Sequence, residues 1–232
     1  MENNILYLPV SLGEAIDKLT ILDIKYEKIM DNRKNDVKNE YDLLYDKLHD
    51  FIEKYYNLYE TMKKVNLLIW DMMDSLRDGN LNEEQYLKIC KECIEYNDIR
   101  FRVKNKINYI SESFLKEQKS YKINRLLIKI ENDITDNLTL INIIKYFSFM
   151  YDEITIESSF NLTYLRDYFY YDITIFFTPL NTYNGTPSEC VSTEIQTEVL
   201  PINEFVIENK EYNDDEFYKL FNVSDVEFNK II

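Results

Sequence analysis

The sequence predicts an α plus α/β chain, with an N-terminal antiparallel long-helix, coiled-coil-like domain over residues 1–122 followed by a small three-stranded parallel βαβαβ half-Rossmann domain over residues 123–232. The main observation is a heptad seam. Val37, Tyr41, Leu44, Leu48, Phe51 and Tyr55 follow one another at steps of four and three, and Leu58, Met62, Val65, Ile69, Met72 and Leu76 continue the 3.5-residue period. Turn formers are also scarce: the chain has three Gly and four Pro, with none between Arg33 and Asp78. From Lys122 onward the period changes to short β-rich runs alternating with helical ones, which marks the domain boundary.

The elements follow in chain order. Pro9-Val10 leads into Ser11-Leu12-Gly13-Glu14, where Ser11 can cap a helix and Glu14 can reach back to the cap. Leu12, Ala15, Leu19, Leu22, Tyr26 and Ile29 form that helix's apolar stripe, and Asp31-Asn32 ends it. The seam is next, either as one helix of about 45 residues, roughly 70 Å long at 1.5 Å per residue, or as two antiparallel helices bent near Tyr55–Leu58. Asp78-Gly79-Asn80 is a turn by composition. Asn82 can then cap a further helix with Glu83 and Glu84 at its positive end, and the stripe of that helix runs from Tyr86 through Ile89, Cys93, Tyr96, Arg100, Val103, Ile107 and Ile110 to Phe114.

In the second half Arg125–Ile130 reads as a strand, Leu138–Met150 as a helix, Glu153–Glu157 as a strand, Leu162–Phe169 as a helix and Ile173–Phe177 as a strand. Strands joined this way pair in parallel through right-handed crossovers. Residues 179–212 read as irregular, with room for one strand pair. Asp214–Phe221 and Ser224–Ile232 read as short closing helices.

Charge narrows the function classes. The formal charge is −15, and it is uneven: residues 1–122 hold 20 basic and 23 acidic groups, whereas residues 123–232 hold 7 and 19. An acidic surface repels phosphate backbones and anionic membranes, so neither nucleic acid nor membrane is expected as a partner, and a protein partner or a second copy is. Met1–Val10 has no basic n-region, and no stretch approaches 18 uninterrupted apolar residues, so the expected compartment is the cytoplasm. The sequons at Asn137, Asn161, Asn184 and Asn222 then carry no weight.

Cys90 and Cys93 form a C-x-x-C, but one placed mid-helix rather than at the start of a helix after a strand. A zinc site would need two more ligands, and only the sequence-distant Cys190 and His49 remain. No metal and no cofactor is therefore expected, and the thiols read as small buried apolar groups. No G-x-S-x-G, H-E-x-x-H or phosphate-cradling glycine loop is present. One residue in the last helical stripe is out of place. Arg100 stands where its heptad neighbours are apolar, and a buried guanidinium needs either a carboxylate, with Glu14, Asp17, Asp23 and Asp74 on offer, or a bound anion.

The stretch from Pro9 to Lys25, P-V-S-L-G-E-A-I-D-K-L-T-I-L-D-I-K, resembles the opening of an uncharacterised helical family of bacteria and large DNA viruses. The likeness continues through Val65-Asn66, Ile69-Trp70, Asp74 and Arg77, then Tyr96-Asn97-Asp98-Ile99-Arg100 with Lys104, Ile107-Asn108, and finally Glu117 with Lys119-Ser120-Tyr121. It singles out Glu14, Asp17, Lys18, Asp74, Arg77, Asn97, Asp98 and Arg100 as a set that either binds a ligand or forms internal ion pairs. The bacterial members of that family look associated with surface-glycan assembly.

Lys129, Ile134-Thr135-Asp136 and Tyr151-Asp152-Glu153-Ile154 are similar to the acceptor-side half of heptosyltransferase-type glycosyltransferases. By that resemblance Asp136 takes the place of the general base, and a glycan acceptor is implied. Thr135 stands where that family has the Gly that lets backbone approach a ligand, and the chain has no room for the second, donor-holding half. The expectation is a non-catalytic or degenerate accessory factor of glycan assembly. The alternative is a structural or assembly module that acts through coiled-coil self-association or partner binding.

Overall fold

The computed structural model describes residues 6–120, 123–130, 137–158, 162–169, 175–179 and 202–207. The chain divides into two compact units, one whose described part is residues 6–120 and one whose described part lies between residues 123 and 207.

The first unit is helical. Helix α1, Leu12–Lys28, starts at Ser11, whose Oγ accepts from the Glu14 amide at 3.1 Å, but the Glu14 carboxylate turns away from the cap to Lys104. Helix α2, Arg33–Lys54, starts without a side-chain cap from Asn32. Asp31 takes that part, accepting from the Arg33 amide at 3.0 Å and from its guanidinium, and these bonds hold the Asp31 carboxyl down at about 2.

The seam is two helices. Tyr55 (φ −127°, ψ 42°) separates α2 from α3, Tyr56–Arg77, although no Gly or Pro forces the bend. Packing accounts for it. A straight 45-residue helix would run roughly 70 Å against about 25 Å for α1 and would leave half its seam bare. Once bent, both halves pack on α1, and each touches α1 far more than it touches the other. Leu48, Leu58, Met62 and Val65 are buried, as are Ile52 and Tyr59 from outside the predicted stripe.

Helix α4, Glu83–Ile110, opens with a reciprocal box in which Asn82 Oδ1 accepts from the Gln85 amide and Gln85 Oε1 accepts from the Asn82 amide. Its pairings with α1 run in opposite directions, Gly13 with Asn108, Glu14 with Lys104 and Asp17 near Arg100, so the two helices are antiparallel. Both ends of its predicted stripe need correction: Tyr86 is exposed and Phe114 is 98% exposed, because burial on α4 is confined to the segment from Ile99 to Asn108. The helix closes in a Schellman turn. Ser113 donates to Asn108 O and Glu112 to Tyr109 O, with Glu112 at φ 52° where glycine is usual. Residues 113–119 then run back along α4 as a strap.

The second unit is a parallel sheet with helices. Strands β1 (Arg125–Ile130), β2 (Glu153–Ser158), β3 (Ile175–Pro179) and β4 (Ile202–Ile207) lie in the order β3-β2-β1-β4. Three parallel strands were expected. The fourth, in the stretch read as irregular, pairs with β1 as a further parallel strand, because a six-residue run too weak to stand alone gains a full ladder there. Helix α5, Asn137–Met150, buries Leu140, Ile143, Ile144, Phe147 and Phe149, whereas Thr163–Phe169 is a 3₁₀ helix where an α-helix was expected. One face of β1 and β2 is dry, with Leu126, Ile128, Ile130, Ile154 and Ile156 buried, and the other carries half-buried Arg125, Lys129, Glu153 and Glu157. The two predicted closing helices, Cys190 and Asp136 lie outside the described residues.

Candidate functional site

A close crossing of α1 and α4 sets the site. A Cβ on Gly13 would stand 2.6 Å from the Lys104 carbonyl oxygen and 2.9 Å from Asn108 Oδ1, so only glycine lets α1 approach α4 this closely. The free amides at the start of α1 are taken up there. Gly13 donates to Asn108 Oδ1 at 2.7 Å, and Leu12 donates to Ser113 Oγ at 3.4 Å.

At the next residue of α1, Glu14 Oε1 accepts from Lys104 Nζ at 2.6 Å, and Glu117 of the strap pairs with the same ammonium, whose side chain is 7% exposed. Burial alone would pull the lysine down, but bonds to Glu117 and Glu14 outweigh it and hold Lys104 above its ordinary value. Burial would likewise push Glu117 up, and Lys104 reverses that, leaving the carboxyl below the usual carboxylate range.

Asp17 follows, buried in the junction of α1, α3 and α4. Asn66 Nδ2 donates to Asp17 Oδ1 at 2.8 Å and to Thr20 Oγ1 at 2.9 Å, and Thr20 in turn donates to the Asp17 carbonyl. Arg100 comes within 4.0 Å of Asp17 Oδ1 through Nε, too far for a hydrogen bond, with its side chain 27% exposed. Three buried atoms of this spine make no hydrogen bond: Arg100 Nε, Asn66 Oδ1 and Asn108 Nδ2.

Of the residues singled out in the sequence, Glu14, Asp17 and Arg100 thus come together. Asn97 and Asp98 meet instead at the strap, where Lys119 donates to Asp98 Oδ1 at 2.8 Å and to the Asn97 carbonyl at 3.5 Å while lying over the Phe101 ring. Lys18 pairs with Glu40 and Arg77 with Asp74 on the exposed surface, away from the spine. Asp74 therefore does not serve Arg100, and Asp23, another carboxylate on offer, is taken by Tyr59 and Lys63.

Sequence reasoning did not nominate Gly13, Asn66, Lys104, Asn108 or Glu117 as site residues. Signals were available: Gly13 is a glycine inside a helix, Lys104 lies one turn from Arg100 on the same face, and Asn66, Lys104, Asn108 and Glu117 stand within the stretches quoted for the first resemblance. Nothing in the sequence pairs Asn66 with Asp17, 49 residues away.

In the second unit Asp152 Oδ2 accepts from the Asn124 amide at 2.8 Å, and Glu153 Oε2 accepts from Arg125 Nε at 2.5 Å across the β1–β2 register. The Tyr151-Asp152-Glu153-Ile154 run therefore clamps the start of the sheet. Lys129 stands in register with Glu157. Cys90 and Cys93 are half-buried free thiols, and among the described residues no group of three His, Cys, Asp or Glu could hold a metal ion. No described helix is long and apolar enough to cross a membrane. Comparison with protein-family models, curated proteins and solved structures gives no match.

Proposed function

We propose that this chain is a non-catalytic accessory factor of glycan assembly, in which a register-locked helical unit carries a degenerate transferase-like α/β unit. The observation that carries the reading is that the nominated carboxylates of the helical unit are held by partners within the protein. Glu14 is held by Lys104, Asp17 by Asn66, Asp98 by Lys119 and Asp74 by Arg77, so these groups support architecture rather than proton transfer. The strand order β3-β2-β1-β4 supports reading the sheet as half of a doubly wound fold, in which ligands bind beyond the carboxyl ends of the strands where the order reverses, here between β1 and β4. In the sequence Asp136 stands six residues past the end of β1.

Calorimetric titration of the full chain with sugar nucleotides is expected to show no binding at millimolar concentration, and turnover should match an Asp136→Asn control. Binding to acceptor oligosaccharides should persist. Transfer that disappears in Asp136→Asn would replace the accessory reading with an enzyme. A second reading, a structural module that self-associates, is favoured by exposed Leu87 and Ile94, one heptad apart on the outer side of α4. Concentration-dependent sedimentation without oligosaccharide binding would select it.

A further inference from the structure

We propose that the corner of the helical unit around the Leu12–Ser113 contact is a self-association surface, and that its occupant is a second copy of this chain related by a two-fold axis. Two segments reach that corner. Leu12, at the start of α1, donates through its amide to Ser113 Oγ at 3.4 Å, so Val10, two residues earlier, and Phe114, one residue after Ser113, flank a single contact. Both segments present apolar side chains to solvent. Phe114 is 98% exposed, and Leu6, Tyr7, Leu8 and Val10 are all more than half exposed. Among the described residues, no backbone group of residues 6–10 is hydrogen-bonded to other backbone. Single exposed apolar residues are ordinary, whereas several large ones from two segments at one corner mark a protein–protein contact surface.

Charge identifies the occupant. Glu112 and Lys116 stand two residues before and after Phe114, both are exposed, and neither makes an ion pair among the described residues. A two-fold axis through Phe114, perpendicular to the segment, exchanges its two ends. Glu112 of each copy then faces Lys116 of the other across the paired rings, the self-complementarity that an isologous contact requires. A partner with a face of one strong sign finds no match here, because the two charges of the corner are opposite and flank an apolar centre.

The rest of the chain favours the same end of the molecule. Residues 1–122, with 20 basic and 23 acidic groups, are close to neutral, whereas residues 123–232 hold 7 and 19, so two copies repel least when they meet through the helical unit. The corner is also distinct from Leu87 and Ile94. Leu87 lies 23 residues before the end of α4, about 35 Å away along the axis at 1.5 Å per residue.

Analytical ultracentrifugation of the full chain tests this at concentrations from about 1 to about 200 µM, a range that brackets weak to moderate affinities. The native sequence is expected to pass from monomer to dimer and to go no further, because an isologous contact closes. Phe114→Ser should weaken the dimer at least about tenfold, and Leu87→Ser should leave it unchanged. Charge exchange tests the symmetry. Glu112→Lys puts two cations at the corner and Lys116→Glu puts two anions there, so each variant alone should dimerise less than the native sequence, while an equimolar mixture of the two should form a mixed dimer. All the substituted side chains are exposed, so helical circular dichroism of every variant should match the native protein and separates loss of contact from loss of fold. A chain that stays monomeric, a dimer that survives Phe114→Ser, or a mixture that associates no better than its components would overturn the proposal. Loss of the dimer in Leu87→Ser alone would hand the contact to the outer side of α4. Monomeric protein captured by phosphatidylcholine vesicles through Phe114 would overturn the second copy in favour of a lipid surface. Oligosaccharide binding by a protein that stays monomeric would refute the dimer and leave the glycan reading intact, so the two fail separately.

Discussion

The two units bury different kinds of interior. In the helical unit Asp17, Thr20, Asn66, Arg102, Lys104, Lys106 and Asn108 are buried among Ile16, Leu19, Met62, Val103 and Ile107. The described interior of the sheet unit is apolar apart from Ser148 and Ser158, with Ile128, Leu140, Ile144 and Ile154 at its centre. Parallel strands need no help with register, because each ladder fixes its own through the backbone and the alternation of side chains. Helices can slide by a turn along an apolar seam without losing much burial. A few buried polar contacts that fit in one register only remove that freedom, so the difference in interiors follows from what each backbone leaves undetermined.

That contrast can be broken most directly at Lys104. Lys104→Ala leaves Glu14 and Glu117 facing each other without their cation, and should destabilise the helical unit by about 1.5–3 kcal/mol, the range for charge-assisted hydrogen bonds, because the carboxylates left behind are partly solvated. Urea denaturation followed by helical circular dichroism measures it. A cost no larger than that of Lys18→Ala, whose partner Glu40 is exposed, would show that the spine does not hold the unit.

Gly13→Ala comes next. The added methyl meets a backbone carbonyl that cannot swing aside, and overpacking of this kind costs about 1–3 kcal/mol. Gly79→Ala is the control for mechanism: nothing lies within 4 Å of its Cβ position, so only its φ of 70° opposes the change, at about 1–2 kcal/mol. Thermal melts of the two variants should separate on restoring space. In an Asn108→Ala background, which itself costs stability, the further loss from Gly13→Ala should shrink and that from Gly79→Ala should not.

A smaller effect is expected at Arg100. The sequence alone implies a loss of about 3–5 kcal/mol for Arg100→Ala if its ion pair were fully buried. With the nearest carboxylate 4.0 Å away and no hydrogen bond made, the loss should be about 1 kcal/mol. A double-mutant cycle with Asp17→Asn reads the coupling directly, and a coupling above about 2 kcal/mol would mean that the pair closes in solution.

The smallest effect is in acid. Glu117 sits below its ordinary value when folded, so its contribution is present above the unfolded carboxylate pKa and is lost as pH falls through the folded one. Lys104, raised when folded, contributes fully below the unfolded lysine pKa and loses that contribution only as pH rises through the higher folded value. Amide exchange of residues 113–119 should therefore accelerate on acidification below the ordinary carboxylate range, before α1 and α4 open. In Glu117→Gln that acid step should vanish, and a strap equally protected in both proteins would disconnect it from the ion pair.

Much of the fold is legible in the sequence because local rules govern it. The β1 strand lies where its short β-rich R-L-L-I-K-I run puts it, the Ser11 and Asn82 caps are used as caps, and the residues of the Val37–Leu76 seam are all buried or half-buried. Less of the site is legible. Glu14, Asp17 and Arg100 stand out as charges near apolar stripes, but their partnerships do not: Lys104 rather than Arg100 takes Glu14, and Asn66 takes Asp17. Sequence spacing specifies which side of a helix a residue occupies, and only packing decides which helix that side meets.

The sequence by itself determined the periods, the caps, the turns and the change from helical to β-rich pattern, each set by interactions within about one heptad. Tertiary structure decided the bend at Tyr55, the close crossing at Gly13, the return of residues 113–119 along α4 and the addition of β4 beside β1. Each of these brings together groups far apart in the chain, and the free energy that favours them comes from burial, which depends on where every other element lies. A 3.5-residue period is compatible with a straight helix or a bent one. The 17-residue length of α1 and the polar contacts it offers at Asp17 and Asp23 settle which of the two forms.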